Sequence, residues 1–165
     1  MYRVAVITMS DKGARGERED TSGQTVRELV EAQGWKVENS RVVSDDLDTI
    51  TEVLLEVAKS GVDLVLTTGG TGLGPRDNTP EATLSVIERE VPGIAEAMRF
   101  ETFKISPRSI LSRGVAGIRG KTLIVNLPGS PKAVRECMAV ILPVIDHGLA
   151  VLTGRERECA KEGKK

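Results

Sequence analysis

The stretch Val62–Pro80 constrains this chain more than any other. An apolar run, Val62–Thr67, shows no alternation of apolar and polar residues. A strand of that kind is buried on both faces, as in a parallel sheet. It runs into Thr67-Thr68-Gly69-Gly70-Thr71-Gly72-Leu73-Gly74-Pro75-Arg76-Asp77-Asn78-Thr79-Pro80. Thr79 suits a helix N-cap and Pro80 the first helical position, so the sequence reads strand, glycine loop, helix. In open α/β sheets that loop lies at the carboxyl edge, where ligands bind.

The rest of the chain supplies the matching elements. Arg3–Met9 reads as a first strand and Ser10–Asp20, polar and charged, as a mobile loop. Thr21-Ser22-Gly23-Gln24 fits a capping box with Thr21 as N-cap. Val26, Leu29 and Val30 follow at helical spacing, and Gly34 ends the helix. Trp35–Val43 is a second strand, and Asp46–Lys59 a helix carried by Ile50, Val53, Leu54 and Val57. Beyond the glycine loop, Pro80–Glu90 and Gly93–Phe103 read as helices, Arg108–Arg113 as a short turn and Lys121–Asn126 as a strand. Ser130–Val144 is a helix kinked or ended near Pro143. Strands alternating with helices imply a doubly wound α/β sheet. The 165 residues are the size of one domain, read as 1–153 with a charged tail, 154–165.

Composition removes several function classes. With one Trp, one Tyr and two Phe, and a net charge of −1, the chain lacks both the stacking platforms and the basic excess of nucleic-acid binders, so no nucleic-acid partner is expected. No apolar run approaches the roughly 18 residues of a membrane span, so no membrane partner is expected, and the N-terminus reads as a strand and not as a signal peptide. Cys137 and Cys159 form no CxxC motif and fit a reducing, cytoplasmic compartment. A single histidine, His147, excludes a multi-histidine metal site and a histidine triad.

Two segments carry the chemistry. In Thr67–Pro80 the glycines remove Cβ atoms and permit the positive-φ turns in which successive N–H groups converge on an anion. Thr68 and Thr71 add hydroxyls, Arg76 and Asp77 add charge, and the helix N-terminus favours phosphate. The bland alternative is a ligand-free glycine turn. Asn126-Leu127-Pro128-Gly129-Ser130-Pro131-Lys132 repeats the pattern, with Ser130 as N-cap and Lys132 in the first turn, where a cation opposes the helix dipole unless an anion is present. Gly120-Lys121-Thr122 imitates the end of a P-loop, but Val115 stands where its first glycine would be, and a strand follows. Asp45 or Asp46 could cap the following helix, Asp77 could stabilise its own turn, and Asp11–Asp20 is either a lid or a solvated loop.

Together Thr67–Pro80 and Asn126–Lys132 resemble the molybdopterin-binding family of Mog and MoaB-type proteins and gephyrin N-terminal domains. Val6–Asp11, Asp20–Gly23 and Ile110–Arg113 resemble family segments in the same order. The resemblance implies a three-layer αβα fold with a mostly parallel sheet, usually trimeric. It implies adenylyl transfer from Mg-ATP to the terminal phosphate of molybdopterin, releasing pyrophosphate, with the product passing to a molybdate insertase. Catalytic and Mg²⁺-binding roles fall on Asp77 and on a second aspartate after strand 2. Asp45 is its best match, with Asp46 as the alternative because Ser44 replaces the family's proline. Substrate binding falls on Ser10, Asp11, Thr68, Gly69, Gly70, Thr71, Gly72, Thr79, Pro128, Gly129, Ser130 and Lys132. Asn78 departs from the family's common valine. Arg76–Pro80 leans to the catalytic branch and Gly114–Gly117 to the MoaB branch, so a carrier or scaffold without transferase activity is the competing reading. A third, a nucleotide-derivative hydrolase of the competence-damage type, shares a similar TGG loop.

Overall fold

A computed structural model describes residues 1–155. The expected charged tail lies, from residue 156 onward, outside the described residues. Six strands form one sheet in the order β2-β1-β3-β6-β5-β4. They are β1 (Arg3–Met9), β2 (Lys36–Val43), β3 (Leu64–Thr68), β4 (Arg89–Glu90), β5 (Ala116–Arg119) and β6 (Thr122–Leu127). β2, β1, β3 and β6 run parallel, whereas β5 is antiparallel to both β6 and β4.

Side-chain alternation along the central strands sorts the core into two layers. Val4, Val6, Leu64, Leu66, Leu123 and Val125 join Val26, Val30, Met98, Met138 and Ile141 from helices α2 (Thr21–Ala32), α5 (Pro92–Phe103) and α6 (Pro131–Thr153). Ala5, Ile7, Met9, Val65 and Ile124 join Ile50, Val53, Leu54, Ala82 and Val86 from α3 (Leu47–Lys59) and α4 (Thr79–Val86). The result is the three-layer αβα arrangement, and every residue of β3 is buried, as its unbroken apolar run requires.

Several elements depart from the sequence reading. Ser10–Asp20 is not loop throughout: α1 (Asp11–Ala14) is a single turn capped by the Ser10 hydroxyl, which accepts from Gly13 N at 3.0 Å. Asp20, not Thr21, caps α2; its carboxylate accepts from Gly23 N at 2.8 Å. The segment Pro80–Glu90 is not one helix. It stops at Val86, and Arg89–Glu90 pair with β5. β5 is too short to show a period in the sequence, and only its hairpin with β6 makes it a strand. Pro143 does not end α6, which continues to Thr153 and closes at Gly154 with φ 75°.

By length and composition α6 could cross a membrane, although its sequence shows no unbroken apolar run. Within the fold it is a core helix, burying Val134, Cys137, Met138, Ile141, Ile145 and Leu149 against the sheet.

Candidate functional site

Because β1, β2, β3 and β6 are parallel, their carboxyl ends share one edge, and four loops converge there. Ser10 follows β1, Asp45 follows β2, the glycine loop follows β3 and Pro128–Ser130 follow β6. The β3 and β6 loops are fastened to each other: Gly69 N donates to Leu127 O at 3.2 Å and the Thr68 hydroxyl to Pro128 O at 2.6 Å. Gly69 takes φ 93°, and a Cβ there would lie 2.5 Å from the Met9 carbonyl. Only glycine lets these backbones approach so closely.

The glycine loop turns back onto α4. Thr79 N donates to Gly70 O at 3.1 Å and the Thr79 hydroxyl to Gly69 O at 2.9 Å. Thr79 is therefore not the N-cap; Asn78 occupies that position without a side-chain cap, and its amide instead donates to Asp45 O at 2.9 Å. Among the described residues the N–H groups of Gly70, Thr71, Gly72 and Leu73 donate to no acceptor of the protein. A run of open N–H groups is the backbone form of an anion site.

Two cavities meet at this loop. One, of about 490 Å³, has apolar walls from Ala95, Met98, Leu111, Pro128 and Cys137, with Arg99, Arg108, Ser106 and Ser109 among them. The other, of about 520 Å³, is walled by Ser10, Arg18, Asp20, Asp45 and Gly69. Gly70, Asp77, Gly129 and Ser130 line both.

The acidic side has a definite electrostatic order. Asp45 Oδ2 accepts from Asp11 N at 2.8 Å, and Asp11 Oδ1 accepts from Asp45 N at 3.0 Å. Arg76 grips the Asp11 carboxylate through Nε and Nη2 at 3.1 and 2.9 Å, holding its pKa below the ordinary value. Asp45 has no such cation. Partial burial, and then the charges of Asp11 and Asp77, raise its carboxyl above the usual range. Asp46 lies outside: it caps α3 by accepting from Thr49 N at 3.1 Å, which lowers its pKa. Asp77 Oδ2 accepts from Gly74 N at 2.8 Å. Asp45 and Asp77 thus each tie one oxygen to backbone, and among the described residues neither has an ion-pair partner.

A family model described as probable molybdopterin binding domain matches residues 5–147. The chain belongs to this family. One relative is the molybdopterin adenylyltransferase of Helicobacter pylori (strain J99), 40% identical over 154 residues, which are 92% of this chain and 88% of that one. Molybdenum cofactor biosynthesis protein B of Escherichia coli (strain K12) is 40% identical over 147 residues, 87% of this chain and 85% of that one. The crystal structure of the molybdopterin biosynthesis enzyme MoaB from Thermus thermophilus aligns with a TM-score of 0.88 at 51% identity, covering 93% of this chain and 98% of that chain.

In this molybdopterin-binding domain most of the residues singled out from sequence meet at one edge, but not all. Ser10, Asp45, Gly69, Gly70, Thr71, Gly72, Asp77, Pro128, Gly129 and Ser130 line the cavities. Asp11 braces Asp45 from behind. Thr68 and Thr79 are fully buried and spend their hydroxyls on carbonyls, so they shape the loop and face neither cavity. The Lys132 side chain is 82% exposed and reaches only Glu136, at 3.9 Å; α6 carries it past the site.

Four residues that line these cavities received no role from the sequence, although one of them, Asn126, heads the second segment. Asp20 lines the acidic cavity, caps α2 and accepts from the Thr8 hydroxyl at 3.0 Å. Arg99 donates to Gly114 O at 2.8 Å and, with Arg108, lines the apolar cavity. Asn126, 1% exposed, donates to the Thr67 and Thr83 hydroxyls at 3.0 and 2.9 Å, and its Oδ1 accepts from Val115 N at 3.2 Å. Asp20 carried a signal in the capping pattern one residue before Thr21; the others become recognisable only when distant elements meet.

Proposed function

We propose that this molybdenum cofactor biosynthesis protein is a molybdopterin adenylyltransferase, joining the adenylyl group of ATP to the terminal phosphate of molybdopterin. The observation that carries the reading is the meeting of two cavities at Gly70, the first of a row of open N–H groups, with Asp77 and Ser130 lining both. A group transfer between two bulky substrates needs two compartments and one shared anion-binding junction.

In the reaction an oxygen of the pterin's phosphate attacks the α-phosphorus of ATP. A new P–O bond forms, the bond from the α-phosphorus to the bridging oxygen of the β-phosphate breaks, and pyrophosphate leaves with that electron pair. The nucleophile is already anionic near neutral pH, so no histidine base is required, and the chain has one histidine. The obstacle is repulsion between polyanions. The open N–H groups of Gly70, Thr71 and Gly72, which line the cavities, would offer positive ends of dipoles to the developing charge.

Two carboxylates without cationic partners, one raised in pKa by burial and its neighbours, fit a divalent cation. Mg²⁺ commonly takes one or two carboxylates and completes its shell with phosphates and water, and Asp45 and Asp77 would hold it. Bound there it would neutralise phosphate charge. The flat heterocycle of one substrate fits the apolar walls of the other cavity.

The homotrimer expected from the resemblance belongs to this proposal. Phe100, Ile105 and Ile110, on and after α5, are 69%, 58% and 58% exposed, and exposed apolar side chains of this kind are what subunit contacts bury. Sedimentation equilibrium measures the state directly. A molybdate insertase in the same cytoplasmic compartment would consume the product.

The deciding experiment incubates purified protein with molybdopterin and ATP, with and without Mg²⁺, and assays pyrophosphate and adenylylated pterin. Appearance of both, only with Mg²⁺, is the expected result. Pterin binding without pyrophosphate would make the chain a carrier.

A further inference from the structure

Arg113 contacts the glycine loop but lines neither cavity, although its chain neighbours Ser112 and Gly114 line the apolar one. It lies on the segment between the 3-10 turn Pro107–Leu111 and β5. Its backbone N donates to Thr71 O at 2.8 Å, its Nε to Gly72 O at 2.7 Å and its Nη2 to Asp77 O at 2.6 Å. Its remaining nitrogen, Nη1, pairs with Glu81 in the first turn of α4. One residue thus collects three carbonyls of a loop that has no secondary structure of its own.

The consequence follows from the planar trans peptide. Across each peptide unit the C=O and the next N–H point in opposite directions. Fixing the carbonyls of Thr71, Gly72 and Asp77 toward Arg113 turns the N–H groups of Gly72, Leu73 and Asn78 away from it. Of these, Gly72 and Leu73 belong to the row of open N–H groups that begins at Gly70, and Gly72 lines the apolar cavity. The bond to Asp77 O also fixes the main chain from which the Asp77 carboxylate projects. A guanidinium holds two carbonyls and a carboxylate at once because its donors form a rigid planar fork; a lysine ammonium, a single point on a flexible stem, does not.

We propose that Arg113 is a positioning residue of the transfer site: by anchoring the outward carbonyls of the glycine loop it aims the loop's N–H groups at the transferring phosphates and sets Asp77. The proposal rests on the adenylyl-transfer reading for its kinetic part, but the aiming of the N–H groups can be measured without turnover.

The test compares the full chain with R113K, R113A and E81Q. Glu81→Gln removes the charge pairing and leaves the three carbonyl bonds, so its turnover stays within about 2-fold of wild type. Arg113→Lys lowers kcat roughly 100-fold, the scale of a displaced reacting group, with a smaller change in KM for ATP. Guanidinium ion at millimolar concentration restores part of the kcat of R113A. In a titration of ¹⁵N-labelled protein with inorganic pyrophosphate, the amide signals of Gly72 and Leu73 shift in wild type; in R113K the Leu73 signal fails to shift, while Gly72, whose N–H is set through Thr71 O by the Arg113 backbone, still shifts. An R113K enzyme with wild-type kcat, or a loss that only follows a fallen Tm without guanidinium rescue, overturns the proposal. Should the wild type itself make no pyrophosphate, the transferase reading falls, and the amide titration alone decides whether Arg113 aims the loop: equal Leu73 shifts in wild type and R113K refute it.

Discussion

Asp11 and Asp45 exchange hydrogen bonds, each carboxylate accepting the other's backbone N–H, at 2.8 and 3.0 Å. The arrangement clamps the loop after β1 to the loop after β2, but it also sets two negative charges side by side. Arg76 forms its ion pair with Asp11 and not with Asp45. Partial burial first, and then the charges of Asp11 and Asp77, oppose the ionisation of Asp45, a common mark of functional carboxylates.

Replacing Asp45 by Asn should separate function from stability. Its pKa is raised in the folded protein, so the native state binds the proton more readily than the unfolded chain. The carboxylate accordingly costs stability, and stability falls as pH rises from the ordinary aspartate range through the raised native value. The substituted asparagine would still accept from Asp11 N through its amide oxygen and would carry no charge. D45N should melt at a higher Tm than wild type at pH 7, with the two curves converging as pH falls below the ordinary aspartate range. Its turnover should drop about 100-fold, as for loss of a metal-supporting group. Calorimetry at several pH values, with the pyrophosphate assay, checks both halves.

Arg76→Ala should act on the pH profile more than on stability. The pair with Asp11 is exposed, and such pairs contribute little to stability. Arg76 also lowers the Asp45 pKa, though it is the smallest of the causes acting there. Without it, the acid limb of kcat/KM, where Asp45 protonates, should move to higher pH, and the Tm at pH 7 should fall by no more than about 4 °C. An unmoved acid limb would remove Asp45 as the titrating group.

The layers and the edge that carries the site were legible in the sequence because they depend on local periods and turn residues. The bare apolar run before Gly69 and the glycines after it were enough to place the main loop. What stayed hidden depends on contacts between distant segments. β4 is two residues long and exists only through its pairing with Ile118 and Gly117. Arg113, one of 23 basic residues, is distinguished only by the carbonyls it meets. Lys132 stands in the first turn of α6 as the sequence suggested, with its side chain in solvent and Glu136 at 3.9 Å, a direction that helix phase and not local pattern decides. Between Asp45 and Asp46 the resemblance favoured Asp45 and left Asp46 as the alternative, because adjacent aspartates both fit a cap; in the fold it is Asp46 that caps α3 by accepting from Thr49 N.

Gly70→Ala should damage the junction directly. Gly70 adopts φ 66°, and a Cβ there would collide with the Thr79 hydroxyl and lie 3.3 Å from Asp45 Oδ1. The left-handed conformation alone costs an L-residue about 1–2 kcal/mol, and the collision threatens the Thr79–Gly69 bond that folds the loop onto α4. The variant should lose about 2–3 kcal/mol of stability by urea titration, the left-handed cost plus a weakened hydrogen bond, and bind pyrophosphate at least about 10-fold more weakly. Unchanged pyrophosphate affinity would mean that the loop's N–H groups are not the anion site.

Asn126→Ala should be a defect of stability first. Its amide satisfies two buried hydroxyls and its carbonyl oxygen a backbone N–H, joining β6 to β3, to α4 and to the segment entering β5. Truncation leaves the Val115 N–H without its acceptor and the Thr67 and Thr83 hydroxyls without a donor, and each orphaned buried group costs about 1–3 kcal/mol. Water entering from the adjoining cavity, which Asn126 lines, can satisfy part of that demand, so the expected loss is about 3 kcal/mol and not the full sum. At temperatures where N126A remains folded its KM values should stay within about 3-fold of wild type, since Asn126 supports the walls and carries no charge. Guanidinium chloride unfolding paired with steady-state kinetics separates the two effects. A stable variant with a KM raised roughly tenfold or more would instead make Asn126 a contact of the substrate itself.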